Sequence, residues 1–445
     1  MKFDRIIYNG IVITVNPDFE IIEDGLVCIK DGVIQSVEVR NKDISQYRAV
    51  DFVDANGGIV MPGLINAHVH LPMSLFRGLA DDLPLGQWLN DYIFPAEQKH
   101  ISPETVQIGT LLSCVEMILS GTTACCDGYF YEDDVAQAVF ETGLRAVTAQ
   151  GVIDYPAPGV PEPVRNVETA VEFVKKWKNR SPLITPSIFC HSLYTCSADT
   201  LKKAKQAADS LDVRFQIHVA ETKGEADQAR EAHSMSPVKY LDSLGIINDN
   251  TLISHAVWVD DEDIEVLANR NARIAHCPES NMKLASGVAP VPNMIQPDVI
   301  QKGITVGLGT DGCASNNNLD LFEEMDSAAK LHKVFKSDPT VMDAKTVVKM
   351  ATIEGAKAIG IGDLTGSLEP GKQADIIIID INKPHLTPMY HPESHLVYAV
   401  HGSDVSDVFV SGKALMRNYK PVCLDVDDIM EQAVAVGLAV QRNHQ

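Results

Sequence analysis

Two histidines that stand two residues apart, His68 and His70, come shortly after the apolar run Ile59-Val60-Met61. On a β-strand, side chains two residues apart point to the same face of the sheet. Two imidazoles placed in this way can bind one metal ion. A pair of hydrogen-bonded histidines on a surface strand is the alternative, and the segment from Pro62 to His70 does not by itself decide between the two.

Further polar residues follow other apolar runs in the same manner. His218, His255 and Asp311 each end a short apolar run, and Glu221 stands three residues after His218. Any one of these residues would more often be structural than catalytic. Because all of them stand at the same kind of position, the sequence predicts that they meet in one site.

The residue types indicate metal chemistry. Three imidazoles and one carboxylate suit a single divalent ion with an open position for water, foremost Zn²⁺ and also Fe²⁺ or Mn²⁺. The predicted ligands are His68, His70, His218 and Asp311. A bound ion lowers the pKa of water towards neutrality. We expect Asp311 also to accept a proton from the water and Glu221 to protonate a ring nitrogen of the substrate. His255 would polarise the attacking water or hydroxide, or stabilise charge on it.

The elements that must position these residues alternate along the middle of the chain. Short apolar strands and longer amphipathic segments, one of them Met294–Lys302, follow each other between residues 59 and 370. The predicted strands are Ile59–Met61, Thr122–Cys126, Arg145–Gln150, Leu183–Phe189, Arg214–Val219, Thr251–Ser254, Arg273–Ala275 and Thr305–Leu308. This α/β pattern predicts a (β/α)8 TIM barrel with its chemistry at the carboxyl ends of strands one, five, six and eight.

Both ends of the chain are rich in β-structure instead. Asn9-Gly10 and Asp31-Gly32 are each flanked by apolar runs and predict two-residue hairpins. Because such small hairpins cannot bury a core of their own, they need the apolar strand 374–380 from the other end of the chain. We therefore predict a small β-sandwich domain built from residues 1–58 and 371–445, with a helix over 427–442, and a catalytic barrel over 59–370.

Composition excludes several classes of function. The chain has 445 residues and a net charge of −23, so nucleic acid and anionic membranes, which need a basic surface, are not expected partners. Nine cysteines without a CxxC pair indicate a reduced, cytoplasmic protein. The segment Met1 to Asp4 lacks a signal-peptide pattern, which agrees with that location. A monomer and a homo-oligomer both remain open.

Several segments together resemble the amidohydrolase superfamily over essentially the whole chain. They are the segments 62–70, 217–222, 253–259, 276–287 and 307–312, and the return segment 366–375. Within this superfamily, further segments resemble the 5′-methylthioadenosine/S-adenosylhomocysteine deaminases; these are 76–82, 88–89, 93–97, 190–197 and 394–399. Two-metal members of the superfamily use a bridging lysine after strand four, and Thr185 to His191 contains none. The resemblance therefore implies one metal ion per subunit.

The resemblance also implies an activity. Such an enzyme is a hydrolase of C–N bonds in cyclic amidines, and it deaminates adenine-type thioether nucleosides with release of ammonia. S-adenosylhomocysteine would become S-inosylhomocysteine and 5′-methylthioadenosine would become 5′-methylthioinosine, with adenosine as a further small-molecule substrate. By the same resemblance Glu97 binds the ribose hydroxyls, His191 contacts the substrate and Arg165 meets the homocysteine carboxylate. One carboxylate can indeed accept two hydrogen bonds from a cis-diol.

Two alternatives remain at this point. The same metal site could serve the deamination or hydrolysis of another aminated heterocycle, of guanine, pterin or s-triazine type. Glu97 argues for a ribose-bearing substrate instead, because a bare heterocycle has no diol. A non-catalytic binding protein that keeps the barrel is the second alternative, and the full set of predicted ligands together with Glu221 argues against it.

Overall fold

A computed structural model describes residues 2–296 and 303–442 of the chain. The predicted TIM barrel is confirmed: eight parallel strands form one sheet in chain order, and helices lie between them along the chain. The barrel strands, numbered one to eight here, are Leu64–Val69, Thr122–Asp127, Arg145–Val152, Ile184–Cys190, Phe215–Val219, Thr251–His255, Arg273–His276 and Thr305–Leu308.

The first predicted barrel strand was wrong. Ile59–Pro62 pairs antiparallel with Ile376–Ile379 and parallel with the first strand of the chain, so it belongs to the sheet made by the termini. Barrel strand one begins at Leu64, two residues after Pro62. The error arose because Gly63 interrupts one continuous apolar run, and periodicity does not show which half of the run pairs with which sheet.

The helices between the strands begin at recognisable capping residues. The side chain of Ser102 accepts a hydrogen bond from Thr105 N in a capping box, and Pro103 occupies the first helical turn. The main barrel helices are Pro103–Leu119, Glu132–Thr142, Asn166–Trp177, Ala198–Leu211, Lys223–His233, Pro237–Ser243, Asp261–Asn269, Leu321–Lys336, Ala344–Met350 and Ile353–Ile359. Shorter helices span Leu85–Gln87, Trp88–Ile93 (a π-helix), Phe94–His100, Pro278–Lys283, Val291–Ile295 and Pro392–Tyr398.

Two sequence-based expectations about helices have different outcomes. The predicted C-terminal helix is confirmed as Val426–Gln441. The predicted helix over 294–302 begins earlier, as Val291–Ile295, and its later part lies outside the described residues. Among the helices that are described, none combines the length and the apolar character that crossing a bilayer requires.

Both termini contribute to a separate mixed sheet of nine strands. Its strands are Phe3–Ile13, Ile21–Lys30, Val33–Val39, Ala49–Asp54, Ile59–Pro62, Ile376–Ile379, Val405–Val410, Lys413–Arg417 and Lys420–Pro421. The hairpin at Asp31-Gly32 is confirmed, with φ of 54° and 76° at these two residues. The hairpin at Asn9-Gly10 was wrong, since one strand runs straight through it with an irregularity in register. A Cβ on Gly10 would lie 2.9 Å from Ala55 Cβ, so glycine serves a close approach there and not a turn.

A buried ion pair joins this sheet to the barrel. Arg145 on barrel strand three is bound by Asp375 through Nε–Oδ2 at 2.8 Å and Nη2–Oδ1 at 3.1 Å. Asp375 Oδ1 also accepts a hydrogen bond from Ser411 N at 2.7 Å. Both side chains are almost completely buried. The charges of Arg145 and Asp375 are therefore paired with each other, although both side chains are buried away from water.

We expect Arg145→Met to lower the free energy of unfolding by about 3–5 kcal/mol, because it leaves Asp375 as a buried, unpaired charge. Urea unfolding followed by circular dichroism measures the change. Arg270→Met is the matched control, since Arg270 forms an exposed pair with Asp242 and such a pair contributes about 1 kcal/mol or less. Equal losses in the two variants would contradict the structural role of the buried pair.

Candidate active site

The first and last strands of the barrel meet at the predicted ligands. Asp311 N donates a hydrogen bond to His68 O at 3.0 Å, directly after strand eight. This approach depends on Gly309, where a Cβ would lie 2.8 Å from His68 N. At this edge of the barrel a cavity of ≈ 1530 Å³ opens. It is lined by seven predicted site residues, namely His70, Glu97, His191, His218, Glu221, His255 and Asp311.

The four predicted metal ligands converge at this cavity, and three of them line it. Asp311 Oδ1 lies 3.4 Å from both His68 Nε2 and His70 Nε2. His218 Nε2 lies 3.1 Å from His68 Nε2. One donor atom from each of His68, His70 and Asp311 lies within 4.8 Å of the others, and the same holds for His68, His218 and His255. Three nitrogens and one oxygen at such spacing match the ligand set of a divalent ion.

The hydrogen bonds and the burial of these histidines favour the binding of a metal cation over protonation of the rings. His70 Nδ1 donates to Gly128 O at 2.6 Å, which leaves the lone pair of its Nε2 facing the cluster. Burial lowers the pKa of His68 to about 4. At neutral pH the His68 ring is therefore uncharged and can offer a nitrogen lone pair to a cation. The residues present thus fit a bound divalent ion.

Asp311 is held in one orientation by hydrogen bonds. Its Oδ2 accepts from Ser280 Oγ and from Ser315 Oγ, both at 2.8 Å, and its Oδ1 accepts from Gly312 N at 2.8 Å. The φ of Asp311 is 61°, an uncommon backbone region for a residue with a side chain. The loop after strand eight therefore aims this carboxylate at the histidines instead of leaving it to rotate in solvent.

Glu221 and His255 face each other across the cavity. Glu221 Oε2 lies 4.0 Å from His255 Nε2. His255 Nδ1 donates to Asn281 Oδ1 at 3.0 Å, which fixes the orientation of the ring. Burial raises the pKa of Glu221, and the nearby His255 partly opposes the shift. A carboxyl group of raised pKa is suited to donate a proton near neutral pH.

Glu225 is a functional candidate that the sequence analysis missed. Its two carboxylate oxygens accept hydrogen bonds from Ala220 N and Glu221 N, both at 2.9 Å. The chain turns there through Ala220, whose φ is 54°. Glu225 therefore holds the turn that separates His218 from Glu221. The spacing Thr222 to Glu225 is that of a capping box and could have signalled it, although the carboxylate reaches two earlier amides.

Glu97 lies in the cavity wall with a partner that sequence reasoning did not identify. Tyr129 Oη donates to Glu97 Oε1 at 2.5 Å, and both residues are buried. Burial raises the pKa of Glu97 to about 7 in spite of this hydrogen bond. Tyr129 follows strand two, which was its one signal in the sequence. His191 lies beside the site too, with its Nδ1 3.0 Å from Thr195 Oγ1, and burial lowers its pKa to about 4.

The structure does not bring Arg165 to the cavity, contrary to the expectation from the sequence. Its guanidinium pairs with Glu168 at 3.0 Å and Glu172 at 3.8 Å, and its side chain is 53% exposed. Arg165 stands immediately before the helix Asn166–Trp177, so the two glutamates on the first turns of that helix are its nearest partners. The sequence places Arg165 in a variable loop. Its position in that loop does not show whether the side chain faces the cavity or forms an ion pair on the surface.

Comparisons with known proteins agree with this architecture. The chain matches the amidohydrolase family over residues 59–415. A 5-methylthioadenosine/S-adenosylhomocysteine deaminase of Syntrophus aciditrophicus is 42% identical, over 99% of this chain and 98% of that protein. A 5′-deoxyadenosine deaminase of Methanosarcina mazei is 44% identical, over 97% of this chain and 96% of that protein. A crystal structure of an adenosine deaminase from Xanthomonas campestris with bound zinc superimposes with a TM-score of 0.95 at 34% identity, covering 99% of both chains.

We expect Glu225→Gln to lower kcat by about 10- to 100-fold, because the amide offers one acceptor to two backbone N–H groups and the Glu221 side chain shifts. The metal content should stay at the wild-type level, since Glu225 touches none of the predicted ligands. Steady-state kinetics and elemental analysis measure the two quantities. Glu231→Gln, an exposed change on the same helix, is the matched control, and an equal effect of both variants would disprove the role of Glu225.

Proposed function

The chain belongs to the amidohydrolase family, and from that membership we infer that this cavity is the active site of a metal-dependent hydrolytic deaminase. Its substrates are adenine-type nucleosides. One observation carries this proposal above others: a single cavity joins the His and Asp cluster, which suits hydrolysis, to the buried pair Glu97–Tyr129, which suits a ribose. An enzyme that acts on bare heterocycles would have no ribose for the Glu97–Tyr129 pair to bind.

The ligand set supports a resident divalent ion, with zinc as the proposed metal. Three imidazoles and a carboxylate bind Zn²⁺ well, and the related adenosine deaminase structure contains zinc. The ion supplies Lewis acidity, which lowers the pKa of water to about 7. His68, His70, His218 and Asp311 would hold it.

Side chains of the cavity lining carry out the remaining steps. Glu221, whose pKa is raised by burial, donates a proton to N1 of the adenine ring, which makes C6 electrophilic. Asp311 accepts a proton from the attacking water and passes it to the leaving amine. His255, whose Nδ1 donates to Asn281, keeps Nε2 as an acceptor, and this nitrogen polarises the attacking water by accepting a hydrogen bond from it. Water adds at C6, the bond from C6 to the amine breaks and ammonia leaves. The proton of the new C6 hydroxyl returns to Glu221 as the carbonyl forms, so an adenine nucleoside and water become an inosine nucleoside and ammonia.

Other residues of the cavity lining bind the substrate. Glu97, oriented by Tyr129, accepts hydrogen bonds from the two ribose hydroxyls. A site built in this way rejects analogues without the hydroxyls, because its buried carboxylate would lose its partners. The His191 ring lies 6.4 Å from that of Phe94 and 5.8 Å from that of Tyr194, between centroids, and it contacts the nucleoside. The proposed substrates are 5′-methylthioadenosine, S-adenosylhomocysteine, 5′-deoxyadenosine and adenosine, in line with the names of the relatives.

We expect the zinc-loaded enzyme to release ammonia from these nucleosides and to leave guanine, pterins and s-triazines unchanged. A coupled ammonia assay, together with the blue shift of the adenine absorbance, provides the measurement. Glu221→Gln should reduce kcat by at least about 10²-fold, since the amide has no acidic proton to give. Turnover of heterocycles alone would refute the ribose site. Near-wild-type turnover by the Glu221 variant would refute the proton transfer.

The raised pKa of Glu97 predicts a pH dependence of substrate binding. Below a pH of about 7 the carboxyl is protonated and loses acceptor capacity, so KM for a ribonucleoside should fall as the pH rises through 7. Glu97→Gln should raise KM by about 10- to 100-fold and flatten this profile. The exposed change Glu104→Gln is the control. A wild-type KM profile that stays flat between pH 5.5 and 8.5 would contradict the assignment.

The same shift has a consequence for stability. The pKa of Glu97 in the folded state, about 7, lies above its ordinary value of 4.5, so folding binds the proton more tightly. The contribution of this residue to stability is complete below the ordinary value and is lost as the pH rises to about 7. The stability difference between Glu97→Gln and the wild type should therefore change across this interval and level off above it.

A further inference from the structure

The short helix Pro278–Lys283, which follows barrel strand seven, carries two side chains that hold reacting groups. Ser280 Oγ donates to Asp311 Oδ2 at 2.8 Å. Asn281 Oδ1 accepts from His255 Nδ1 at 3.0 Å. A shift of this helix would therefore displace both contacts at once. The orientation of Asp311 and His255 thus depends on how the helix is anchored.

The first turn of this helix takes its acceptor from elsewhere in the chain. Its N-cap residue is Cys277, whose side chain makes no capping hydrogen bond in the described part of the chain, and Pro278 has no backbone N–H. The free N–H groups at the start of a helix need an acceptor other than a helical carbonyl. Glu279 N donates to Glu324 Oε2 at 3.3 Å. A carboxyl group on the helix Leu321–Lys336 therefore serves as the acceptor.

Glu324 is completely buried and binds a second segment of the site through its other oxygen. Its Oε1 accepts from Asn316 Nδ2 at 2.5 Å, and the same Nδ2 donates to Thr310 O at 2.8 Å. Asn316 follows Ser315, whose Oγ donates to Asp311 Oδ2 at 2.8 Å. Glu324 therefore joins the loop after strand eight to the helix after strand seven, and each of these two segments carries a serine that binds Asp311.

The helix that carries Glu324 is fixed to the same region by two further contacts. Ser327 Oγ donates to Glu279 Oε1 at 2.7 Å, so the two helices bind each other in both directions. His332 Nε2 lies 3.0 Å from Nε2 of His276, which ends strand seven, and both rings are buried. Glu324 therefore projects from an element that is itself attached to the barrel.

Two N–H donors face the carboxyl group of Glu324, one at each oxygen. Burial raises the pKa of Glu324, and the two donors oppose this shift because they favour the charged form. A carboxylate accepts at both oxygens, whereas a glutamine amide offers one acceptor and turns its own N–H groups towards the second donor. Glu324 lies outside the cavity lining as the structure describes it, so it acts on the reaction through its neighbours.

We propose that Glu324 is a positioning residue of this active site. It holds the helix after strand seven and the loop after strand eight in the arrangement that orients Asp311 and His255. Its effect on turnover rests on the proposed deaminase function, whereas its effect on the two segments does not.

Hydrogen exchange of the zinc-loaded protein, followed by mass spectrometry, measures the hold on the two segments without reference to catalysis. In Glu324→Gln we expect the backbone amides of residues 279–284 and 312–317 to exchange about tenfold faster or more, with those of 220–226 unchanged. Glu323→Gln is the matched control, since it removes the same charge from an exposed neighbour on the same helix. Equal exchange in the two variants would overturn the proposal.

Steady-state kinetics with 5′-methylthioadenosine test the link to the reacting groups. Glu324→Gln should lower kcat per bound zinc ion by about tenfold or more and leave KM within about twofold, because the shift affects Asp311 and His255 and not Glu97. Glu323→Gln should keep both constants at the wild-type values. A wild-type kcat in Glu324→Gln would overturn the positioning role. Absence of turnover by the wild type itself would overturn the deaminase function and leave hydrogen exchange as the test of Glu324.

A double variant separates positioning from a general loss of stability. Ser280→Ala removes one of the contacts through which Glu324 acts on Asp311. We expect the fall in kcat of the double variant Glu324→Gln/Ser280→Ala to be smaller than the product of the two single falls by about threefold or more. A fall equal to the product would overturn the positioning role.

A further variant serves where Glu324→Gln does not fold. Asn316→Ala removes one of the two donors and leaves Glu324 in place. It should lower kcat about threefold or more with KM unchanged, because the loop after strand eight loses its tie to the helix. A wild-type kcat in this variant would overturn the proposal.

Discussion

The hydrogen bond from Asp311 N to His68 O joins the last strand of the barrel to the first, and the candidate site exists because of it. Gly309 permits the approach, since any side chain there would collide with the backbone of His68. Two ligands that are 243 positions apart in the chain, by subtraction of their numbers, become neighbours through this contact. His218 and His255 join them because the carboxyl ends of parallel strands meet at one edge of the sheet.

One physical cause, burial, prepares the groups at this edge for opposite tasks. It lowers the pKa of His68 and His191, which keeps the imidazoles neutral. It raises the pKa of Glu221 and of Glu97, since the same dry surroundings disfavour a negative charge. Neutral imidazoles suit metal binding and a protonated carboxyl suits proton donation, so no separate device is required for the two functions.

The candidate site residues are held in place by hydrogen bonds to neighbouring side chains and backbone groups. Glu225 holds the turn before Glu221, Asn281 orients His255, and two serines bind Asp311. Each of these contacts is a hydrogen bond in the buried surroundings of the site. The precision of the site thus comes from satisfied buried polar groups, which resist rotation more than exposed side chains do.

The sequence by itself determined the barrel and the positions of its candidate ligands, because both follow from local patterns. His218, His255 and Asp311 end short apolar runs, and a parallel strand exposes its carboxyl end to the site wherever it lies in the barrel. Only the tertiary structure decided features that depend on distant partners. It assigned Ile59–Pro62 to the terminal sheet, turned Asn9-Gly10 from a hairpin into a close contact with Ala55, paired Tyr129 with Glu97, and left Arg165 on the surface. Such outcomes are set by which segments pack together, and local residue patterns do not record that.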